Sequence, residues 1–285
     1  MAVTTLRAPR RFKLGTLLLY AFLIPAGILT LVPIAYMLSQ AFTPEADTLS
    51  WPIRWIPENP TLENFRRIFN DPTLPVLRWL INSLVVATAS TALVLLIDSL
   101  TAYAFARLEF PGRDALFFML LVSLMIPSAV TLIPTFLLMR RLNFLDTYHA
   151  LIWLHGANVF GIFLLRQYYQ SIPKELEEAA IVDGAGRIRV WWQIATPLVA
   201  SALVALGIFT FLGSWNDLFW PLIVLSDRSQ LTLPAGLAIL GQGNYVQRGL
   251  TMAAATIASV PVLLLYAVFQ RRIIQGIAMT GLGGR

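Results

Sequence analysis

The sequence predicts an all-α integral membrane protein with six transmembrane helices, both termini in the cytoplasm, and a cytoplasmic helix between spans four and five. Three observations carry that expectation. Apolar residues make up 57% of the 285 and charged residues only 13%, where soluble domains carry about 25%. The remaining charges are clustered, leaving six runs each long enough to cross a hydrocarbon core of about 30 Å as a helix. The basic residues are also shared unequally between the loops that would alternate across the bilayer.

The runs follow in order. Leu14 to Pro44 holds no charge, and Trp79 to Ala106 is interrupted only by Asp98. Ala115–Met139 and Thr147–Leu165 are clean. Val190–Asn216 is clean and resumes after Asp217 as far as Ser226; the last run is Gly249–Gln270. The expected spans are 14–42, 79–106, 115–139, 147–167, 198–225 and 250–270 within a membrane domain 14–285. A cytoplasmic segment 1–13 precedes it, and 271–285 form a cytoplasmic tail. The first run exceeds the apolar region of a secretory signal, about 7–15 residues, and reads as an uncleaved span.

Orientation follows from the basic residues. One side would hold Arg7, Arg10, Arg11, Lys13, Arg107, Arg113, Arg166, Lys174, Arg187, Arg189, Arg271, Arg272 and Arg285. The other would hold Arg54, Arg66, Arg67, Arg78, Arg140, Arg141, Arg228 and Arg248. The richer side is the cytoplasm by the positive-inside rule. The net charge of +6 does not indicate nucleic acid, since the basic residues flank apolar runs rather than forming a face with interleaved aromatics. There is no cysteine, which excludes disulfides and thiolate metal sites. His149 and His155 share one apolar run without a carboxylate cluster, so they read as polar lining of a bundle rather than as metal ligands.

Three connections are more than turns. The outside loop Thr43–Arg78 carries Pro44, Trp51, Pro52, Trp55, Pro57 and Pro60, then Thr61–Phe69, which reads as a short amphipathic helix capped by Thr61. The outside loop Asp227–Arg248 holds an apolar piece, Leu231–Leu240, followed by Gly241, Gln242, Gly243, Asn244 and Tyr245. The third is the cytoplasmic segment 171–197.

That segment begins Ser171-Ile172-Pro173-Lys174-Glu175-Leu176-Glu177-Glu178-Ala179-Ala180-Ile181-Val182-Asp183-Gly184. Ser and Pro followed by acids is helix N-terminal chemistry, and Gly184 is suited to the left-handed C-terminal cap. Leu176, Ala179, Ala180 and Asp183 share a face by helical spacing, and the paired alanines let another surface approach closely. A helix lying on lipid headgroups should be basic with bulky apolar residues opposite. This one holds Glu175, Glu177, Glu178 and Asp183 against Lys174 alone, and acidic charge is disfavoured at an anionic leaflet. A protein partner is the better expectation.

Glu178-Ala179-Ala180, then Gly184, Ile194 and Pro197, resemble the EAA motif of ABC importer permeases. Thr196 stands where that family usually has Leu. Asn82-Ser83-Leu84, Ala102–Arg107, Phe110-Pro111-Gly112-Arg113, Trp215-Asn216-Asp217, Trp220-Pro221-Leu222, Thr232-Leu233-Pro234 and the tail from Phe269 resemble the carbohydrate (maltose-type) branch. The resemblance implies a permease subunit of a binding-protein-dependent carbohydrate importer in the bacterial plasma membrane. The resemblance also implies a transport subunit and not an enzyme. Its implied partners are a second homologous permease, two ATP-binding subunits, an extracytoplasmic solute-binding protein, the carbohydrate and the lipid bilayer. It implies no cofactor on this chain, with ATP and Mg on the ATPase. Glu175, Leu176, Glu178, Ala179, Ala180, Asp183 and Gly184 would dock on the ATPase, Glu178 pairing with an arginine there. The residues agree on one point: a phosphate loop needs Gly-Lys-Ser/Thr, and neither Lys13 nor Lys174 follows a glycine.

Polar residues within spans usually face the bundle interior or a water-filled cavity. Asn82, Asp98, Asn158, Ser214, Asn216 and Asp217 are therefore the candidates for the substrate pathway, each with interhelical hydrogen bonding as the alternative. Pro127 and Pro134 could mark a hinge in span three. The loop Gly241–Tyr245 is a candidate contact for the binding protein. The competing class is an ion-coupled secondary transporter, with Asp98 and Asp217 as its relay; it leaves the acidic helix without a purpose. An intramembrane enzyme would need paired titratable groups at mutual reach.

Overall fold

The computed structural model describes residues 14–71, 74–241 and 247–282, and among them every regular element is helical. Two units emerge from the contacts: residues 14–66 with 247–256, and 67–71, 74–241 and 257–282.

In the first unit α1 (Leu14–Ala41) exposes apolar side chains along most of its length, among them Leu17, Phe22, Ile28 and Leu31. Its exit is held by the short helix the sequence predicts, α2 (Glu63–Asn70). Thr61 Oγ1 accepts the Glu63 N–H at 3.1 Å. Asn64 Nδ2 donates to the carbonyls of Ala41 and Thr43, both at 2.9 Å. Glu45 accepts the first amides of the terminal helix, Arg248 N–H at 2.7 Å and Gly249 N–H at 3.0 Å. That places a carboxylate on the positive end of a helix dipole. A Cβ at Gly249 would lie 2.7 Å from Asn64 Nδ2. The Pro- and Trp-rich loop thus supplies the ties between two membrane helices of this unit.

The second unit is organised around α3 (Val76–Arg107), 32 residues long. Helices α4 (Arg113–Ser123) and α5 (Ser128–Arg141) meet at 102°. The bend falls at Pro127, which has no N–H to donate and disfavours helical backbone at the residue before it. Next come α6 (His149–Ile152), a 3₁₀ turn Trp153–His155 and α7 (Val159–Gln170). The fourth expected span is therefore not one continuous helix. Gly156 follows the 3₁₀ turn, and Asn158 caps α7 by accepting the Phe160 N–H at 3.0 Å.

Helix α8 (Lys174–Val182) is the anticipated short helix. It is followed by α9 (Arg187–Val190), a π-helical turn Trp191–Ala195, α10 (Thr196–Leu198) and α11 (Ala200–Trp215). Pro197 cannot donate to Gln193 and its ring crowds that carbonyl, so the preceding turn widens. At Val199 the chain turns by 82° into α11. Helices α12 (Phe219–Val224), α13 (Leu233–Leu240) and α14 (Arg248–Leu282) complete the chain.

Among the described residues three helices are long and apolar enough to cross a membrane, and each bent pair adds one more, up to five. The core of the second unit lies where α3, α7 and α11 meet near Arg107, with Ala102, Tyr103, Leu165, Tyr169, Trp191, Ala202 and Leu206 buried together. At the other end of α3, Asp227 accepts the Ser229 N–H at 2.8 Å and starts a 3₁₀ turn. That hydrogen bond holds its carboxyl below the usual carboxylate range.

Candidate coupling and translocation sites

Helix α8 has a defined start and stop. Pro173 occupies the N-cap position, and Glu175 and Glu177 lie in the first turn. Ser171 does not cap α8; its hydroxyl donates back to Tyr168 O at 2.8 Å. At the other end Ala185 N–H donates to Ala180 O at 2.9 Å and Gly184 N–H to Ile181 O at 3.0 Å. This is the Schellman arrangement, with Gly184 in the left-handed conformation at φ +86°.

The two faces of α8 differ sharply. Glu177 turns inward and is 5% exposed, unlike Glu175, Glu178 and Asp183, which face outward. Its Oε1 lies 2.8 Å from Arg107 Nε, with side chains 7% and 5% exposed. The alignment makes this contact Coulombic rather than a directed hydrogen bond. Its Oε2 accepts from Tyr103 OH at 3.1 Å. Arg107 Nη2 also donates to the Ile172 carbonyl, just before α8. Ala180 is half-buried against the core, so the face expected to be shared by Leu176, Ala179, Ala180 and Asp183 is divided. Glu175, Leu176, Glu178, Ala179 and Asp183 are exposed, as is Gly184 at the turn. With them stand Ile181, Val182 (86% exposed), Ile188 and Trp192, an exposed surface in which apolar residues are interspersed with the acids of α8 and with Lys174, Arg187 and Arg189.

A second polar chain lies beneath. Trp191 Nε1 donates to Ser99 Oγ at 3.0 Å, Ser99 Oγ pairs with Tyr169 OH at 2.7 Å, and Tyr169 OH pairs with Thr196 Oγ1 at 3.2 Å. Tyr103 and Tyr169 meet edge to face at 5.5 Å. The segment carrying α8 is thus tied to α3 twice, through Glu177 and through Trp191.

The six pathway candidates separate. Asp217 lines a cavity of about 570 Å³ with Ser128, Thr131, Thr135, His155 and Trp220. Asn158 and Ser214 line another of about 380 Å³, which shares Leu154 and His155 with the first. Asp98 is fully buried, and its Oδ1 accepts the Asn158 N–H at 2.9 Å at the start of α7. Its Oδ2 has no protein partner, and a Cβ at Gly161 would lie 2.2 Å from it. Asn82 donates to the carbonyls of Ser229 at 3.0 Å and Leu231 at 2.9 Å. Asn216 is exposed and donates to Leu212 O at 2.9 Å. His155, which sequence reasoning treated only as lining, borders both cavities. Of the loop proposed to meet a binding protein, Gly241 ends α13 as its C-cap; Gln242, Gly243, Asn244 and Tyr245 lie outside the described residues.

Among the described residues, three helices long and apolar enough to cross a membrane, two bent pairs and a short docked helix mark a polytopic membrane protein. Residues 99–279 match the model of the binding-protein-dependent transport system inner membrane component, and the chain belongs to that family of ABC transporter permeases. It is a multi-pass membrane protein and a transport subunit rather than an enzyme. The diacetylchitobiose uptake system permease protein NgcG of Streptomyces coelicolor is 32% identical over 258 residues, 89% of this chain and 84% of that protein. The arabinooligosaccharides transport system permease protein AraQ of Halalkalibacterium halodurans is 33% identical over 260 residues, 90% of this chain and 93% of that one. A chain of a bacterial ABC transporter for import of the acidic polysaccharide alginate superposes with a TM-score of 0.80 at 23% identity. The match covers 93% of this chain and 99% of that chain; at that identity the likeness shows the fold.

Proposed function

We propose that this chain is one of two homologous permease subunits of an ATP-driven, binding-protein-dependent carbohydrate importer in the bacterial plasma membrane. The observation that carries the reading is the two-faced helix α8. One face is fastened to α3, and the other exposes Leu176, Ile181, Val182, Glu175, Glu178 and Asp183. A lipid surface is a poor occupant for that mixture; a cleft on an ATP-binding subunit, carrying basic residues at its rim, is a good one. The carbohydrate class is supported by the sugars in the names of its relatives.

In this reading both termini are cytoplasmic and six crossings come from α1, α3, α4–α5, α6–α7, α9–α11 and α14. The segment 171–197 is the cytoplasmic coupling segment. ATP and Mg are bound by two partner subunits, and a solute-binding protein delivers sugar on the opposite side. The cavities bearing Asn158, Ser214 and Asp217 are half of the pathway, completed by the second permease. Glu178 contributes a charge-assisted hydrogen bond to the ATPase, worth about 1.5–3 kcal/mol.

The test is isolation of the tagged chain from native membranes in mild detergent, with the co-purifying subunits identified by mass spectrometry. An ATP-binding subunit and a second permease are expected, with sugar uptake reduced in Glu178→Ala. Recovery of the intact chain alone would exclude the reading.

A further inference from the structure

We propose that Glu177, held on Arg107 and Tyr103, is the positioning residue that makes α8 and the adjoining end of α3 move as one body, so that displacement of α8 reaches the membrane through α3. This rests on the docking of α8 proposed above and adds the route that the motion takes.

Three observations carry it. First, the direct route along the chain, from α8 into α11, is interrupted twice. A π-helical turn occupies Trp191–Ala195, and the chain then bends by 82° at Val199 before α11 begins. A widened turn and a sharp bend transmit an axial push poorly. Second, α3 is a single helix of 32 residues with no proline inside it, and it packs along both α7 and α11. Third, the tie between α8 and α3 is a buried ion pair with side chains 7% and 5% exposed, reinforced by Tyr103. A buried ion pair is seldom more stabilising than apolar residues of equal volume, because both charges lose their hydration. What it adds is a contact that cannot slide without leaving a charge unpaired in a poorly hydrated place. Arg107 bonds the Ile172 carbonyl at the entrance to α8 as well, so one guanidinium fixes both the helix and the chain leading into it. On the other side of Glu177, Glu178 is exposed and free for the partner. Two adjacent acids thus have opposite addresses, one inward to the permease and one outward to the ATPase.

The chain has no cysteine, so label pairs can be introduced cleanly. The experiment uses the complex isolated from native membranes, with Lys174→Cys on α8 and Leu100→Cys on the exposed side of α3 carrying spin labels. Distances are measured at rest and after trapping with ATP, Mg and vanadate. A photo-crosslinker at Val182 separately reports α8 against the ATP-binding subunit. With Glu177 intact, one narrow distance should persist in both states. In Glu177→Gln it should broaden and shift on trapping while the Val182 crosslink remains, and the exchanged pair Arg107→Glu with Glu177→Arg should restore the narrow distance. Arg107→Lys keeps the charge but loses the fork that reaches both Glu177 and Ile172, and should broaden it partially, a readout that survives if the Gln variant does not assemble. An unchanged narrow distance in Glu177→Gln with the crosslink present would overturn the proposal and leave the docking intact. Absence of the crosslink with Glu177 intact would overturn the docking reading instead.

Discussion

The two ends of α3 are fastened by different chemistry. At the Val76 end the ties are neutral and run to backbone. Trp79 Nε1 donates to Arg228 O at 2.6 Å, Asn82 reaches two carbonyls, and Ser83 Oγ accepts the Leu233 N–H at 2.8 Å. Gly236 of α13 lies flat on the Trp79 ring, where a Cβ would come within 2.2 Å. At the Arg107 end the ties are mainly between side chains, a buried ion pair, two tyrosines and a tryptophan, joined by one bond from Arg107 to the Ile172 carbonyl. Side chain to backbone bonds hold a loop in place whatever its sequence, and they lose a neutral bond at a time. Side-chain networks depend on both partners and carry charge, so single substitutions there are felt more strongly.

The largest effect should come from opening the ionic end. Glu177→Ala leaves Arg107 buried without its carboxylate, a situation that costs about 3–5 kcal/mol. The loss should appear as a markedly lower midpoint when the purified chain is heated in detergent and followed by tryptophan fluorescence. A drop no greater than that of an exposed acid such as Glu175→Ala would break the contrast between the ends. Next in size is Gly236→Ala at the neutral end, where a methyl group would enter the Trp79 ring. Overpacking of this kind costs about 1–3 kcal/mol. Replacing Trp79 by Leu in the same chain should recover part of it, because the clash is with the ring. Asn82→Leu should cost no more than this. It removes two neutral bonds of about 0.5–1.5 kcal/mol each, one part-buried and one buried, and should speed amide exchange in 229–233 without touching the Arg107 end.

Much of this architecture is legible in charge-free runs and helix punctuation. Gly184 ends α8 where glycine's freedom predicts, and Thr61 binds the first turn of the outer-loop helix. Hydrophobic continuity gives the length of a span but not its direction: Pro127 marks its bend by residue type, whereas the bend at Val199 and the break around Gly156 leave no trace in that continuity. The pathway residues stand out in the sequence by polarity alone, and polarity does not distinguish a cavity wall from a cap. Asn158 and Asp217 line cavities, whereas Asp98 binds the entrance of α7. Glu177 was hidden among like neighbours. Its spacing of three from Ala180 puts both on one stripe, and only the packing of Ala180 on the core shows that this stripe faces inward.

The smallest expected effect tests how much the second polar chain at the Arg107 end depends on one hydroxyl. Thr196 stands where the resemblance leads one to expect Leu, and its Oγ1 lies 3.2 Å from Tyr169 OH. Tyr169 OH also pairs with Ser99 Oγ at 2.7 Å, so it keeps a partner when the threonine hydroxyl is removed. Thr196→Val preserves shape and removes only that longer contact, for which the low end of about 0.5–1.5 kcal/mol is the appropriate scale. Ser99→Ala removes the atom shared by Tyr169 and Trp191 and leaves the indole N–H without its acceptor. The midpoint of thermal unfolding should therefore fall clearly for Ser99→Ala and barely for Thr196→Val. The double variant should lose more than the two together, because Tyr169 OH then has neither partner. Simple additivity would mean that the two hydroxyls act independently and that the chain from Trp191 to Thr196 is not one network.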